Sequence, residues 1–251
     1  MHRTQPELEE MNRWLWRPKP QPGADLRLYC LAHAGGGASN FASWIPVGPH
    51  NLEIVAIQLP GRETRLDEEP MHNLTPIAHT IGDLILADDI RPFAIFGHSA
   101  GGKLAVHVAA YLNETGRHPE RIFLSGAPID VPSSKNLHLL DQNEFIRAVG
   151  ERFGALPKQL TDDPEIWSLF ERPLRADLEA YETAEMAPRR LPVPLSVITG
   201  SRDRVVDAVE CRGWQAWSAY PVRYEVLEAD HFSYRKQPQL YLAVIAAHLF
   251  A

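Results

Sequence analysis

Cysteine is almost missing from this 251-residue chain, which has two, Cys30 and Cys211. Two such residues build no disulfide framework, and without CxxC spacing they make neither a zinc site nor a redox pair. Cys30 lies in an apolar run and Cys211 in a helical stretch, so both are read as structural. No apolar run reaches the roughly 18 residues of a membrane span. The N-terminal Met1-His2-Arg3-Thr4-Gln5-Pro6 has none of the apolar character of a signal peptide. We therefore expect a soluble, cytoplasmic protein. Positive charge is not in excess either: 25 Lys+Arg stand against 32 Asp+Glu, a formal net charge of -7. That leaves no broad basic face for nucleic acid. Internal repeats, low-complexity tracts and metal-spaced histidines are also lacking, and a monomer is the default expectation.

What is present is the profile of a globular enzyme-sized chain, 45% hydrophobic and 23% charged, able to bury a core unaided. The first two dozen residues read as an arm anchored by Trp14 and Trp16. Short apolar strands then alternate with helical patterns. Strands are expected at Leu26–Ala32, Leu52–Leu59, Phe93–Phe96, Arg121–Ser125, Leu195–Thr199 and Tyr224–Leu227. Helical stretches are expected near Phe41–Ile45, at Leu74–Ala87 with Thr75-Pro76 as cap and first position, at Ser99–Glu114, Val205–Tyr220 and Gln239–Phe250. The strands are continuously apolar, the mark of a mostly parallel α/β sheet covered by helices on both faces. Between Asp130 and Pro188 no strand is visible. Proline-separated helical pieces at Asn143–Phe153, Glu165–Leu169 and Leu174–Glu185 read as an insertion over the C-terminal sheet edge, where ligand crevices of such sheets lie.

Gly97-His98-Ser99-Ala100-Gly101 matches G-x-S-x-G, a serine lifted on a sharp strand-to-helix turn beside the free N–H groups of the helix start. The same stretch opens as G-x-x-x-x-G-K, but Leu104 stands where a phosphate loop needs Ser or Thr for Mg²⁺, so the nucleotide reading fails. Lys103 is then a surface helix residue. A serine needs a base and an orienting acid, in the chain order Ser, Asp/Glu, His for this turn type. Asp203 follows the fifth strand and His231 the sixth. Among rival acids, Asp130 follows the fourth strand, Asp230 should point elsewhere, and Asp207 belongs to the surface. His98 is expected beside the turn and His107 on the helix behind it. The oxyanion of an acyl-transfer intermediate needs two N–H donors. Ala100 supplies one, and the loop His33-Ala34-Gly35-Gly36-Gly37 the other, from Ala34.

His33-Ala34-Gly35-Gly36, Leu59-Pro60-Gly61-Arg62-Glu63 and Gly97-His98-Ser99 together resemble the motif series of type II thioesterases of nonribosomal peptide and polyketide synthesis, on the α/β-hydrolase fold. Trp44, Leu174-Arg175-Ala176-Asp177, Gly200-x-x-Asp203 and Asp230-His231-Phe232 fall in the same order. The resemblance spans roughly Trp14 to the end and implies a single domain, with its core at about 24–129 and 189–251 and a helical lid at about 130–188. It implies hydrolysis of acyl or aminoacyl thioesters on the phosphopantetheine arm of carrier proteins, by Ser99, His231 and Asp203, with Ala34 and Ala100 as oxyanion donors. No cofactor is implied, since the phosphopantetheine belongs to the substrate. Arg172, Arg175, Arg189 and Arg190 are candidate docking cations for acidic carriers. Four positions depart from the family: Ala100 replaces its common Met, Leu31-Ala32 its Phe-Pro, and Ala229 its Gly. A carboxylesterase or an acyltransferase would use the same serine chemistry, but generic esterases lack Pro60–Glu63. A non-catalytic scaffold would have lost part of the triad.

Overall fold

A central seven-stranded sheet carries the chain, in the order β1-β3-β2-β4-β5-β6-β7. The computed structural model describes residues 4–88, 90–129, 136–154, 158–185, 187 and 189–250. The strands are β1 (Leu15–Trp16), β2 (Leu26–Leu31), β3 (Leu52–Ile57), β4 (Phe93–His98), β5 (Ile122–Ser125), β6 (Leu195–Gly200) and β7 (Arg223–Leu227). The helices are α1 (Gln5–Trp14), α2 (Leu74–Asp88), α3 (Ala100–Glu114), α4 (Gln142–Phe153), α5 (Lys158–Thr161), α6 (Pro164–Thr183), α7 (Ser233–Lys236) and α8 (Pro238–Leu249). All strand pairs are parallel except β1 with β3.

Burial on both faces explains the unbroken apolar strands: every residue of β2 to β5 is buried. On one face Ile77, Ile81, Val108 and Leu112 of α2 and α3 meet Tyr29, Val55, Ile95 and Leu124 of the sheet. On the other, Tyr241 and Ile245 of α8 join Phe41 and Trp44 against Leu28, Phe96 and Phe123. Strand order reverses direction between β2 and β4, which opens a crevice beyond their carboxyl ends. The loop after β2 and the turn after β4 both end there.

The N-terminal arm has more structure than expected. It forms α1 and then β1, which adds an antiparallel edge to the sheet, and Trp14 O accepts the Gln58 N–H at 2.8 Å. The cap of α2 is Asn73, whose Oδ1 accepts the Thr75 N–H at 3.0 Å, not Thr75. Val205–Tyr220 is not a regular helix. Asp203 Oδ1 captures the Val205 and Val206 N–H groups, and the following bonds close tight turns and a 3₁₀ helix at Arg212–Trp217. The two helical pieces expected around Pro173 are one helix, α6. Trp167, Leu174, Leu178 and Tyr181 keep one buried stripe through the proline, and that packing outweighs its missing N–H. Helices α4 and α6 enclose a small core of Phe145, Val149, Trp167, Leu174 and Leu178, against which Ala34 also packs. Among the described residues no helix is long and apolar enough to cross a membrane.

Candidate active site

Strand β4 runs straight into Ser99, whose φ of 54° and ψ of -120° lie outside the ordinary regions for an L residue. The Ser99 N–H donates to Ser125 O at 2.8 Å and Gly102 N–H to Ser99 O at 2.9 Å, and these bonds hold the turn. The flanking glycines are steric necessities. A Cβ on Gly97 would sit 2.2 Å from Gly101 O, and one on Gly101 would sit 2.4 Å from Ala32 O. Helix α3 therefore starts hard against the end of β2, and the N–H of Ala100, its first residue, has no carbonyl of the same helix to meet.

Asp203 and His231 come from the ends of β6 and β7. Gly200 lets the two loops meet, since a Cβ there would lie 2.3 Å from Ala229 O. Arg202 N–H donates to Ala229 O at 3.0 Å and ties the loops together. Asp203 Oδ1 accepts Val205 N–H at 2.8 Å and Val206 N–H at 3.0 Å, while Oδ2 stands 2.8 Å from His231 Nδ1. Both side chains are buried, 2% and 3% exposed. A carboxylate only accepts, so Nδ1 carries the ring proton and Nε2 is the basic nitrogen. His231 Nε2 is buried without a hydrogen bond. Ser99 and His231 line the same cavity of about 520 Å³, together with Ala34, Phe153, Leu174 and Phe232.

Neighbouring histidines are kept neutral. His98 stacks on Tyr234 with centroids 4.2 Å apart and meets Ser125 Oγ at 3.0 Å; burial, with His231 and His33 nearby, holds its pKa well below the usual value. Burial, with Arg235, His231 and Arg62 nearby, lowers His33 to about 3, and its Nδ1 lies 2.8 Å from the Tyr234 hydroxyl.

The loop after β2 is held from several sides. Gly35 N–H donates to Asp177 Oδ2 at 2.7 Å, Gly36 N–H to His33 O at 2.9 Å, Ala38 N–H to Gln58 Oε1 at 2.9 Å and Ser39 N–H to Glu63 Oε2 at 3.1 Å. None of these bonds uses the Ala34 N–H, and Ala34 lines the cavity beside Ser99. Asp177 on α6 also takes a two-pronged ion pair from Arg62, with Nη2 to Oδ1 at 2.9 Å. Sequence reasoning gave Arg62, Asp177, Gln58 and Glu63 no role. The signal was the co-occurrence of Pro60–Glu63 and Leu174–Asp177, which spacing alone does not translate into contact.

Other candidates fall elsewhere. Asp130 lies outside the described residues. Asp230 caps its own turn by accepting Phe232 N–H at 2.9 Å, and Asp207 accepts Val209 N–H at 2.8 Å on the exposed surface. His107 sits on α3, lowered to about 4 by burial and by Lys103 and Arg189 nearby. Lys103 is not a surface residue. It is 4% exposed, donates to Tyr181 O at 2.8 Å and lies over the Tyr181 ring, because the end of α6 folds over α3. Arg172 pairs with Glu69 and Arg189 with Glu114. Arg175 donates to His138 O and Leu140 O and lies over Phe145, so it braces the helical insertion. Arg190 is exposed, as are Arg235 and Lys236 on the cavity rim.

A family model described as "Thioesterase domain" matches residues 26–248. The gramicidin S biosynthesis protein GrsT of Aneurinibacillus migulanus is 31% identical over 232 residues, 90% of this chain and 89% of that protein. Thioesterase PikA5 of Streptomyces venezuelae is 30% identical over 224 residues, 87% of this chain and 79% of that one. The solved structure of the type II thioesterase BorB from the borrelidin biosynthetic cluster superposes with a TM-score of 0.81 at 29% identity, covering 94% of this chain and 97% of that one.

Proposed function

The chain belongs to the thioesterase family and is a type II thioesterase; we propose that it clears acyl or aminoacyl groups from the phosphopantetheine arms of carrier-protein domains in a cytoplasmic modular synthase. Ser99 Oγ attacks the thioester carbonyl as His231 Nε2 takes its proton. The Ala34 and Ala100 N–H groups receive the developing oxyanion, an interaction worth roughly 3 kcal/mol for each donor. The thiolate departs and takes the proton from His231. Water, activated by the same nitrogen, releases the acyl group from Ser99. The phosphopantetheine belongs to the substrate, so the protein supplies no cofactor.

The observation that carries this reading is His231 Nε2: buried, unbonded and left without the ring proton because Nδ1 donates to Asp203, in the cavity that Ser99 lines. A thiolate leaves readily, so the imidazolium formed on His231 suffices as acid. Of the helical lid expected at about 130–188, the described helices α4 and α6 line that cavity through Val149, Phe153, Phe170 and Leu174. Arg235 and Lys236 on its rim suit an acidic carrier better than Arg172 or Arg189, which are already paired.

The test is release of radiolabelled acetyl or aminoacyl groups from a holo carrier protein, with Ser99→Ala and a small free ester in parallel. Serine-dependent release from the carrier, with weak cleavage of the ester, is expected. Equal or faster cleavage of the ester would favour a carboxylesterase.

A further inference from the structure

Helix α6 touches both halves of the oxyanion site. Near its middle, Asp177 accepts the Gly35 N–H at 2.7 Å, one residue beyond Ala34. Gly35 has a φ of +76°, and a Cβ there would lie 3.2 Å from the Leu174 Cβ, so the helix abuts the loop backbone directly. Asp177 is itself held by Arg62, whose guanidinium also donates to Pro60 O at 3.3 Å and Gly36 O at 3.4 Å. At its C-terminal end, α6 meets Lys103 through Tyr181 O, and Lys103 lies three residues beyond Ala100 on α3. Both anchoring side chains are buried, Arg62 and Lys103 each 4% exposed.

We infer that α6 is a brace, and that Asp177, held by Arg62, is a positioning residue fixing the Ala34 N–H relative to the Ala100 N–H. The inference rests on the proposed roles of Ser99, Ala34 and Ala100. Two donors serve one oxyanion only when their separation is set before the reaction. One donor sits on the β2 loop and the other on α3, and α6 spans the gap.

The test compares two double variants, Arg62→Met/Asp177→Leu and Arg62→Met/Asp177→Asn. Both remove the ion pair together, which avoids stranding one buried charge, but only Asn keeps an acceptor for Gly35 N–H. With an acyl-carrier thioester, the Leu double should lose roughly 100-fold in kcat with KM within about twofold, the scale of one lost oxyanion donor. Its affinity for an alkylboronic acid, which forms a tetrahedral adduct on Ser99, should fall in parallel. The Asn double should recover about tenfold of both. A Leu double within about threefold of wild type, or a kcat loss without a boronate loss, overturns the brace. If neither double folds, amide exchange in the wild type decides. Gly35 N–H should be protected, and Ala34 N–H should exchange fast until boronate binds; fast exchange at both refutes the proposal. Wild type that binds boronate yet releases nothing from a carrier overturns the carrier reading alone, the boronate affinities still deciding the brace.

Discussion

Replacing Asp203 by Asn should abolish nearly all activity while leaving the fold in place, and the geometry says why. Asp203 Oδ1 serves two backbone donors, Val205 N–H at 2.8 Å and Val206 N–H at 3.0 Å. In the variant the amide oxygen must stay there. Turning the NH₂ toward those donors would strand polar groups in a buried site at about 1–3 kcal/mol each. The NH₂ then faces His231 Nδ1, which must accept rather than donate. The ring proton moves to Nε2, and the nitrogen that should receive the Ser99 proton already carries one. A wrong tautomer in this arrangement costs about 10⁴-fold in turnover, equivalent to about 5 kcal/mol of barrier. Asn and Asp have nearly the same volume, so thermal unfolding should shift little. The assay is single-turnover acyl release from a carrier thioester, with a melting curve beside it. A folded Asp203→Asn protein that loses less than tenfold would refute the argument. Loss in Asp130→Asn instead would then identify that residue as the acid.

Lys103→Met should destabilise the protein by about 1–3 kcal/mol, because it leaves Tyr181 O without the ammonium that caps α6; an unchanged denaturant midpoint would return Lys103 to the surface. The histidines predict acid lability. His33, at about 3, and His107, at about 4, are depressed from 6.5 by burial, as is His98. The unfolded chain therefore binds more protons below pH 6.5. Stability is full above that pH and is lost as pH falls toward 3 to 4, His33 alone contributing up to about 2 kcal/mol of loss by pH 5. Urea melts from pH 8 to 4 measure this, and a flat profile would contradict it.

The chemistry-bearing positions could be read from the chain because each is bound to a local rule. Gly97 and Gly101 must be glycine where a strand turns sharply into a helix, and the steric gaps of 2.2 and 2.4 Å left for a Cβ bear out that reasoning. Asp203 and His231 could be nominated because each directly follows an apolar run, and parallel strands deliver their C-terminal residues to one edge. Strands β2 to β5 were legible because burial on both faces leaves a continuous apolar string, whereas β7 at the sheet edge is largely exposed. Helix limits were less legible. Val205–Tyr220 has helical periodicity, but Asp203 takes the N–H groups that a helix start would leave free. Pro173 suggested a break, yet the stripe from Trp167 to Tyr181 packs through it.

The primary sequence by itself thus determined the α/β class, the serine turn, the chain order in which Ser99, Asp203 and His231 follow their strands, and a family resemblance that the relatives share. It did so because turns, strand ends and apolar runs are properties of neighbouring residues. Only the tertiary structure decided that Lys103 is buried, that Arg175 is a strut, and that Arg62 reaches Asp177 115 positions away. Those contacts join segments from distant parts of the chain. No local pattern encodes them, because they arise when a helix between β5 and β6 folds back over the loop after β2 and the helix after β4.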